Sequence, residues 1–142
     1  MAKVNLKKVQ KELEKLLNIK NGLAFEYEFG ADFVKATHDI TLTKLNAEIY
    51  AILTCYDNGF AAVEFVFDKV ERTPHTEELL AEFNANSFWL TAYINDNGYL
   101  LTRYFVAQLT DVGDIVGNIE WGMLQVVSDR ITDLLRPLVA LM

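Results

Sequence analysis

This sequence predicts an α+β fold built on an antiparallel sheet, and three observations carry that expectation. Two stretches, 45–68 and 88–106, alternate side-chain character around an Asp-Asn-Gly tripeptide, at Asp57-Asn58-Gly59 and at Asp96-Asn97-Gly98. Period-two alternation marks a strand with two different faces, and Asn-Gly supplies the positive φ that a tight hairpin needs. Three further stretches, near the start, middle and end of the chain, repeat apolar residues at three- and four-residue spacing, as amphipathic helices do. The resulting element order is α-β-β-β-α-β-β-α. A single domain over residues 1–142 accommodates it, since chains of this length usually form one core.

The first helix is expected from Asn5 to Leu17, where Leu6, Val9, Leu13, Leu16 and Leu17 share a face, Asn5 caps the start and Asn18 to Gly22 stops it. Lys3, Lys7, Lys8, Lys11 and Lys15 against Glu12 and Glu14 give this segment a charge of +3, leaving −10 for the rest of the chain. Such a face is either simply solvated or set against an acidic surface. Phe25, Tyr27 and Phe29 alternate with Glu26 and Glu28 as a first strand ending near Gly30. Residues 31–44 leave alternatives open: short strands at Asp32–Lys35 and Ile40–Thr43, or one strand passing through a bulge.

In the first hairpin Leu45, Ala47, Ile49, Ala51, Leu53 and Cys55 occupy one face, and Ala61, Val63, Phe65 and Phe67 answer them after the turn. Register decides the loop length, because a slip of one residue sends every side chain to the opposite face. A two-residue loop would set Leu53 against Glu64. A three-residue loop with Gly59 left-handed sets Leu53 against Val63 and Ala51 against Phe65, so it is the expected one, and it places Cys55 in the core.

Pro74 precedes a helix over roughly 75–85, with Leu79, Leu80 and Phe83 inward and Thr73 or Thr76 as cap; Glu77 and Glu78 suit its positive N-terminal end. The second hairpin, read in the same register, puts Phe88, Leu90, Ala92 and Ile94 with Leu100, Tyr104 and Val106 on the core face. Trp89, Thr91, Tyr93 and Asn95 fall on the other face with Tyr99, Leu101, Arg103 and Phe105. From Asp111 the pattern is helical to the end, with Asp111 or Asp114 as cap, a stripe of Val116, Ile119, Met123, Val127, Ile131, Leu134 and Leu138, and Pro137 ending or kinking the last turn. Gly113, Gly117 and Gly122 imply a late start or a close approach to the sheet.

With a net charge of −7 and a pI near 4.8, the chain is poorly suited to nucleic-acid phosphates or anionic membranes. No apolar run approaches the roughly 18 residues a spanning helix needs, and the charged N-terminus lacks an apolar leader core, so a cytoplasmic location is expected. The lone Cys55 has no intrachain partner. His38 and His75 form no zinc-spaced cluster with it, and no phosphate-binding, dinucleotide-binding, nucleophile-elbow or zincin motif occurs. Asp111 and Asp114 are explained by capping before metal binding. The sequence therefore predicts neither catalytic residues, nor a metal site, nor a cofactor.

What stands out is the second sheet face, where Tyr50, Tyr56, Phe60, Trp89, Tyr93, Tyr99 and Phe105 gather with Glu48, Glu64 and Arg103. Trp, Tyr and Arg are the types enriched at binding hot spots. Either a terminal helix covers these rings or they meet a partner.

The helix end Leu79-Leu80-Ala81-Glu82-Phe83-Asn84-Ala85-Asn86, the strand opening at Phe88, the Asp96-Asn97-Gly98 turn and the C-terminal helix with Ser128-Asp129-Arg130 resemble the YbjN-like family over residues 79–142. That family is described as bacterial sensory transduction regulators with a type III secretion chaperone-like fold, and the order of elements along the whole chain resembles the same fold. The resemblance implies binding more than catalysis, with no catalytic residues to carry over. The leading expectation is a non-enzymatic, chaperone-like adaptor, dimeric, that grips a segment of a partner protein through Trp89, Tyr93, Tyr99, Arg103, Phe105, Tyr50 and Tyr56 or along a strand edge. The alternatives are a small-ligand sensor or enzyme with a helix–sheet pocket, and a structural subunit of a larger assembly.

Overall fold

The computed structural model describes residues 3–142; Met1 and Ala2 of the charged N-terminal stretch lie outside the described residues. The chain is α+β with an antiparallel sheet. Among the described residues six strands form that sheet: β1 (Glu26–Phe29), β2 (Phe33–Leu42), β3 (Ala47–Tyr56), β4 (Ala61–Lys69), β5 (Thr91–Ile94) and β6 (Tyr99–Val106). Their spatial order is β1-β2-β3-β4-β6-β5. The order therefore departs from α-β-β-β-α-β-β-α by one strand before the middle helix. Residues 33–42 are a single strand paired with β3 from Phe33↔Tyr56 to Leu42↔Ala47 without a bulge.

Both hairpins keep the expected three-residue loop. Leu53 faces Val63 and Ala51 faces Phe65 in the first, and Tyr93 faces Leu101 in the second. Gly59 and Gly98 take φ of +89° and +86°, the left-handed region where glycine is unstrained. Their surroundings differ. A Cβ on Gly59 would stand 2.2 Å from the Leu109 carbonyl oxygen, whereas one on Gly98 would meet nothing within 4 Å.

The helices are α1 (Leu6–Glu14), α2 (Pro74–Ser87), α3 (Val112–Val126) and α4 (Asp129–Val139). Asn5 caps α1 by accepting from the Lys8 amide, Thr73 caps α2 from Thr76 and Asp111 caps α3 from Asp114. The Thr76 hydroxyl instead donates to the Glu71 carbonyl at 2.7 Å. The C-terminal pattern is two helices rather than one. Ser128 accepts from the Ile131 amide and starts α4 afresh, shifting the inward stripe to Ile115, Ile119 and Val126, then Ile131, Leu135 and Leu138. Val127, placed inward by the one-helix reading, is exposed at that break. Gly122 is where α3 crosses the sheet closely: a Cβ there would lie 2.4 Å from Tyr104 Cδ1.

After α1 the chain widens into a π-helical turn, Lys15–Lys20, before Gly22 releases it toward β1. α1 lies over β2 and β3, α3 over β4 and β6, and α2 beside β5, with α4 bracing α2. All of this cover falls on one face. Ala51, Leu53, Cys55, Val63, Phe65 and Leu100 on that face are no more than 1% exposed. Cys55 is accordingly a packed thiol, pushed up to about 11 by burial, with Asp57 adding to the effect.

Besides Val127, a second core expectation is overturned. Phe88 is 78% exposed, because α2 runs on to Ser87 and the strand begins only at Thr91. Phe88 has φ +62° and ψ −50° and the Trp89 amide donates to the Ser87 carbonyl at 2.7 Å, a γ-turn of the strained, positive-φ kind. This turn breaks the alternation that put Phe88 inward.

Candidate functional site

Among the described residues nothing lies over the face opposite the helices, so neither terminal helix shields its aromatic residues. Cross-strand pairing lays its side chains out in rows. One row runs Tyr93, Leu101, Val66, Tyr50, Asp39 across β5, β6, β4, β3 and β2. The next runs Thr91, Arg103, Glu64, Ile52, Thr37, Glu26, and a third runs Phe105, Ala62, Thr54, Lys35, Glu28. At strand spacings of about 4.8 Å, Tyr93 and Tyr50 stand roughly 14 Å apart on this surface. Between the aromatics the face mixes polar and aliphatic residues, and Leu101 and Ala62 are each only 6% exposed.

Of the predicted residues, Tyr93 and Arg103 are brought into one cluster. The Arg103 guanidinium donates to Glu64 Oε2 at 3.0 Å and lies 5.4 Å from the centre of the Tyr93 ring, while the Tyr93 hydroxyl reaches the same Glu64 oxygen at 3.5 Å. Burial pushes the Tyr93 hydroxyl up and Glu64 adds to it, against Arg103. Burial would lower Arg103, but the hydrogen bond and charge of Glu64 hold it above its ordinary value. Glu64 is thus spent on neutralising Arg103. The pair is partly exposed, so it contributes at most about 1 kcal/mol to stability and chiefly fixes the orientation of the guanidinium.

Phe105, 53% exposed, packs against Phe60 with ring centres 5.7 Å apart, and Tyr56 packs against Phe33 at 6.2 Å. Tyr99 opens β6 with Lys69 Nζ 5.4 Å from its ring, and Tyr50 is 40% exposed in the middle of β3. Toward the β1 and β3 margins the surface turns acidic, with Glu26, Glu28, Asp39 and Glu48 exposed and only Lys35 among them.

Trp89 does not join this surface. Its ring meets Trp121 of α3 edge-on at 5.7 Å, and Trp121 in turn lies 5.0 Å from Tyr104, whose side chain is on the helix side. The γ-turn at Phe88 turns Trp89 that way. Phe88 itself stands over Arg130 of α4, 4.9 Å from ring centre to guanidinium, and Arg130 also donates to the Ser87 and Asn86 carbonyls. The exposed Trp89 and Phe88 therefore form a second, smaller aromatic patch on the helix side.

The sequence reading missed Phe33, which hid in the unassigned 31–44 stretch, and Trp121, whose contact to Tyr104 is signalled only by Gly122 beside it. The outer edge of β2 is also partly unoccupied, since β1 pairs only with Val34–Thr37 and leaves His38–Leu42 without a strand on that side. Among the described residues no three His, Cys, Asp or Glu stand together as metal ligands, and no helix is long and apolar enough to cross a membrane. The chemistry this face offers is apolar contact, aromatic stacking and one oriented guanidinium. No family model matches the chain, and comparison with curated proteins finds no match.

Proposed function

We propose that the chain is a non-enzymatic protein-binding module whose open sheet face holds a segment of a partner protein. The observation that carries this reading is a six-stranded sheet covered on one face only, with Tyr50, Tyr56, Tyr93, Tyr99, Arg103 and Phe105 spread over the other. Exposed aromatic side chains gathered around one oriented arginine are what interaction sites present. The residue-level resemblance to the YbjN-like family and its chaperone-like fold leads in the same direction, toward an adaptor that works as a dimer and lends no catalytic group.

The test is a pull-down from the native host with the wild-type chain and with Tyr93→Ala/Arg103→Ala/Phe105→Ala, read against the soluble yield and melting temperature of each. A partner retained by wild type and lost by the triple variant at unchanged stability supports the reading. Equal retention by both, or no specific partner for wild type at native concentration, rejects it.

A further inference from the structure

On the covered side the helical layer leaves a gap between the π-helical turn and the C-terminal half of α3, over β2, β3 and β4. It is a half-open cleft of about 380 Å³, within the roughly 300–1,000 Å³ usual for small-molecule pockets. Its walls include Leu17, Ile40, Leu42 and Met123, and its floor is the core itself, Phe65 and Val126, each 1% exposed. Protein interiors leave few voids larger than a water molecule, and water held in such a space needs two to four polar partners. Only two lining residues are polar, Asn21 and Glu120.

Both offer acceptors. Asn21 donates its Nδ2 to the Leu16 carbonyl at 2.6 Å, and its Oδ1 takes no donor among the described residues. Glu120 makes no salt bridge among the described residues, although Lys15 and Lys20 border the outer groove beyond it. The wall carrying Leu17 and Asn21 is the π-helical turn, where the Asn21 amide donates to the Leu16 carbonyl at 3.2 Å. Single π turns are rare and recur at functional sites, because they widen a helix and re-aim its side chains. Here the widening sets Asn21 at the cavity mouth.

From this geometry we infer a binding site for a small amphiphile with an elongated apolar body and a hydrogen-bond-donating or cationic head, the class of alkylamines and alkanols. The body fills the cavity between Met123, Ile40 and Phe65. The head lies between Asn21 Oδ1 and the Glu120 carboxylate, and an anionic head is disfavoured by that same carboxylate. The site is separate from the open sheet face, so its failure leaves the protein-binding reading untouched.

Methyl NMR titrations with decylamine, decanol and decanoate, each below its micelle concentration, test the inference. Saturable shifts are expected at the Met123 and Ile40 methyls and not at Val66 or Leu101 on the open face. Decylamine should bind about tenfold or more tighter than decanoate, Glu120→Lys should reverse that preference, and Met123→Trp should abolish binding by filling the space. Ile40→Phe, at the partly exposed margin, repeats the blocking test should Met123→Trp fail to fold. The inference is overturned by shifts that are absent or sit on the open face, by a head-group preference indifferent to Glu120→Lys, or by binding that survives both filling variants.

Discussion

The two faces of the sheet are built from the same strands and differ in what lies over them. On the helix side, Ala51, Leu53, Val63 and Phe65 are sealed by side chains from α1 and α3. On the other side Thr54, Ala62 and Leu101 reach 6% exposure through their in-register neighbours alone. Burial on the open face is therefore supplied by the surface's own larger side chains, such as Tyr93 beside Leu101 and Phe105 beside Ala62. Stability resides on the first face. The second is free to change without unfolding the protein.

Substitutions can break or sharpen that contrast. The largest effect belongs to Phe65→Ala, which empties the centre of the covered face and should cost about 3–5 kcal/mol in urea unfolding; a loss below 1 kcal/mol would put the core elsewhere. Alkaline pH comes next. The unfolded Cys55 thiol ionises from its ordinary value of 9.0, whereas the folded one waits until about 11. The unfolded state therefore holds fewer protons between those values, and stability, full below pH 9, falls by on the order of 2–3 kcal/mol as pH rises to 11. Cys55→Ala should flatten the profile between about pH 9 and 10, while Tyr27, pushed up from 10.0 to about 12 by burial and by Glu14, acts from pH 10 upward.

A matched pair in α3 gives a smaller effect of opposite sign. Gly122→Ala drives a Cβ into Tyr104 and should lower stability by about 1–3 kcal/mol, whereas Gly117→Ala meets nothing within 4 Å and should raise it by up to about 1 kcal/mol. Differential scanning calorimetry of both variants reads the contrast directly. The smallest change in stability is expected on the open face, where Arg103→Ala should cost less than about 1 kcal/mol and yet weaken partner retention by about 2 kcal/mol or more in a binding titration. A large loss of stability with Arg103→Ala would mean that the open face is also structural.

The hairpins were legible because a left-handed glycine and an apolar pairing register specify the same geometry independently. β2 was not, because its inward positions read Val34, Ala36, His38, Ile40 and Leu42, and the histidine interrupts the apolar series. His38 is accommodated 5.2 Å from the Phe25 ring, a contact no local pattern announces. The split of the last helix was written in Ser128-Asp129, a capping signal overridden by the long apolar stripe on either side. Of the aromatic site, Tyr50, Tyr56, Tyr93, Tyr99, Arg103 and Phe105 follow from alternation, while Trp89 depends on where α2 stops and how Phe88 turns the chain. The cavity beside Met123 depends on how the π turn and α3, far apart in the sequence, sit over the sheet, which spacing along one segment does not encode.

The division of labour among the helices also sets a timetable for synthesis. Ile115, Ile119, Ile131, Leu135 and Leu138, each at most 1% exposed, complete the core on the helix side, and all come from the last two helices. At roughly 5–20 residues per second, some four to fourteen seconds separate the emergence of β4 from that of the end of α4. During that interval α1 is already available to cover β2 and β3, while the helix side of β4 and β6 waits for α3, which the ribosome still holds.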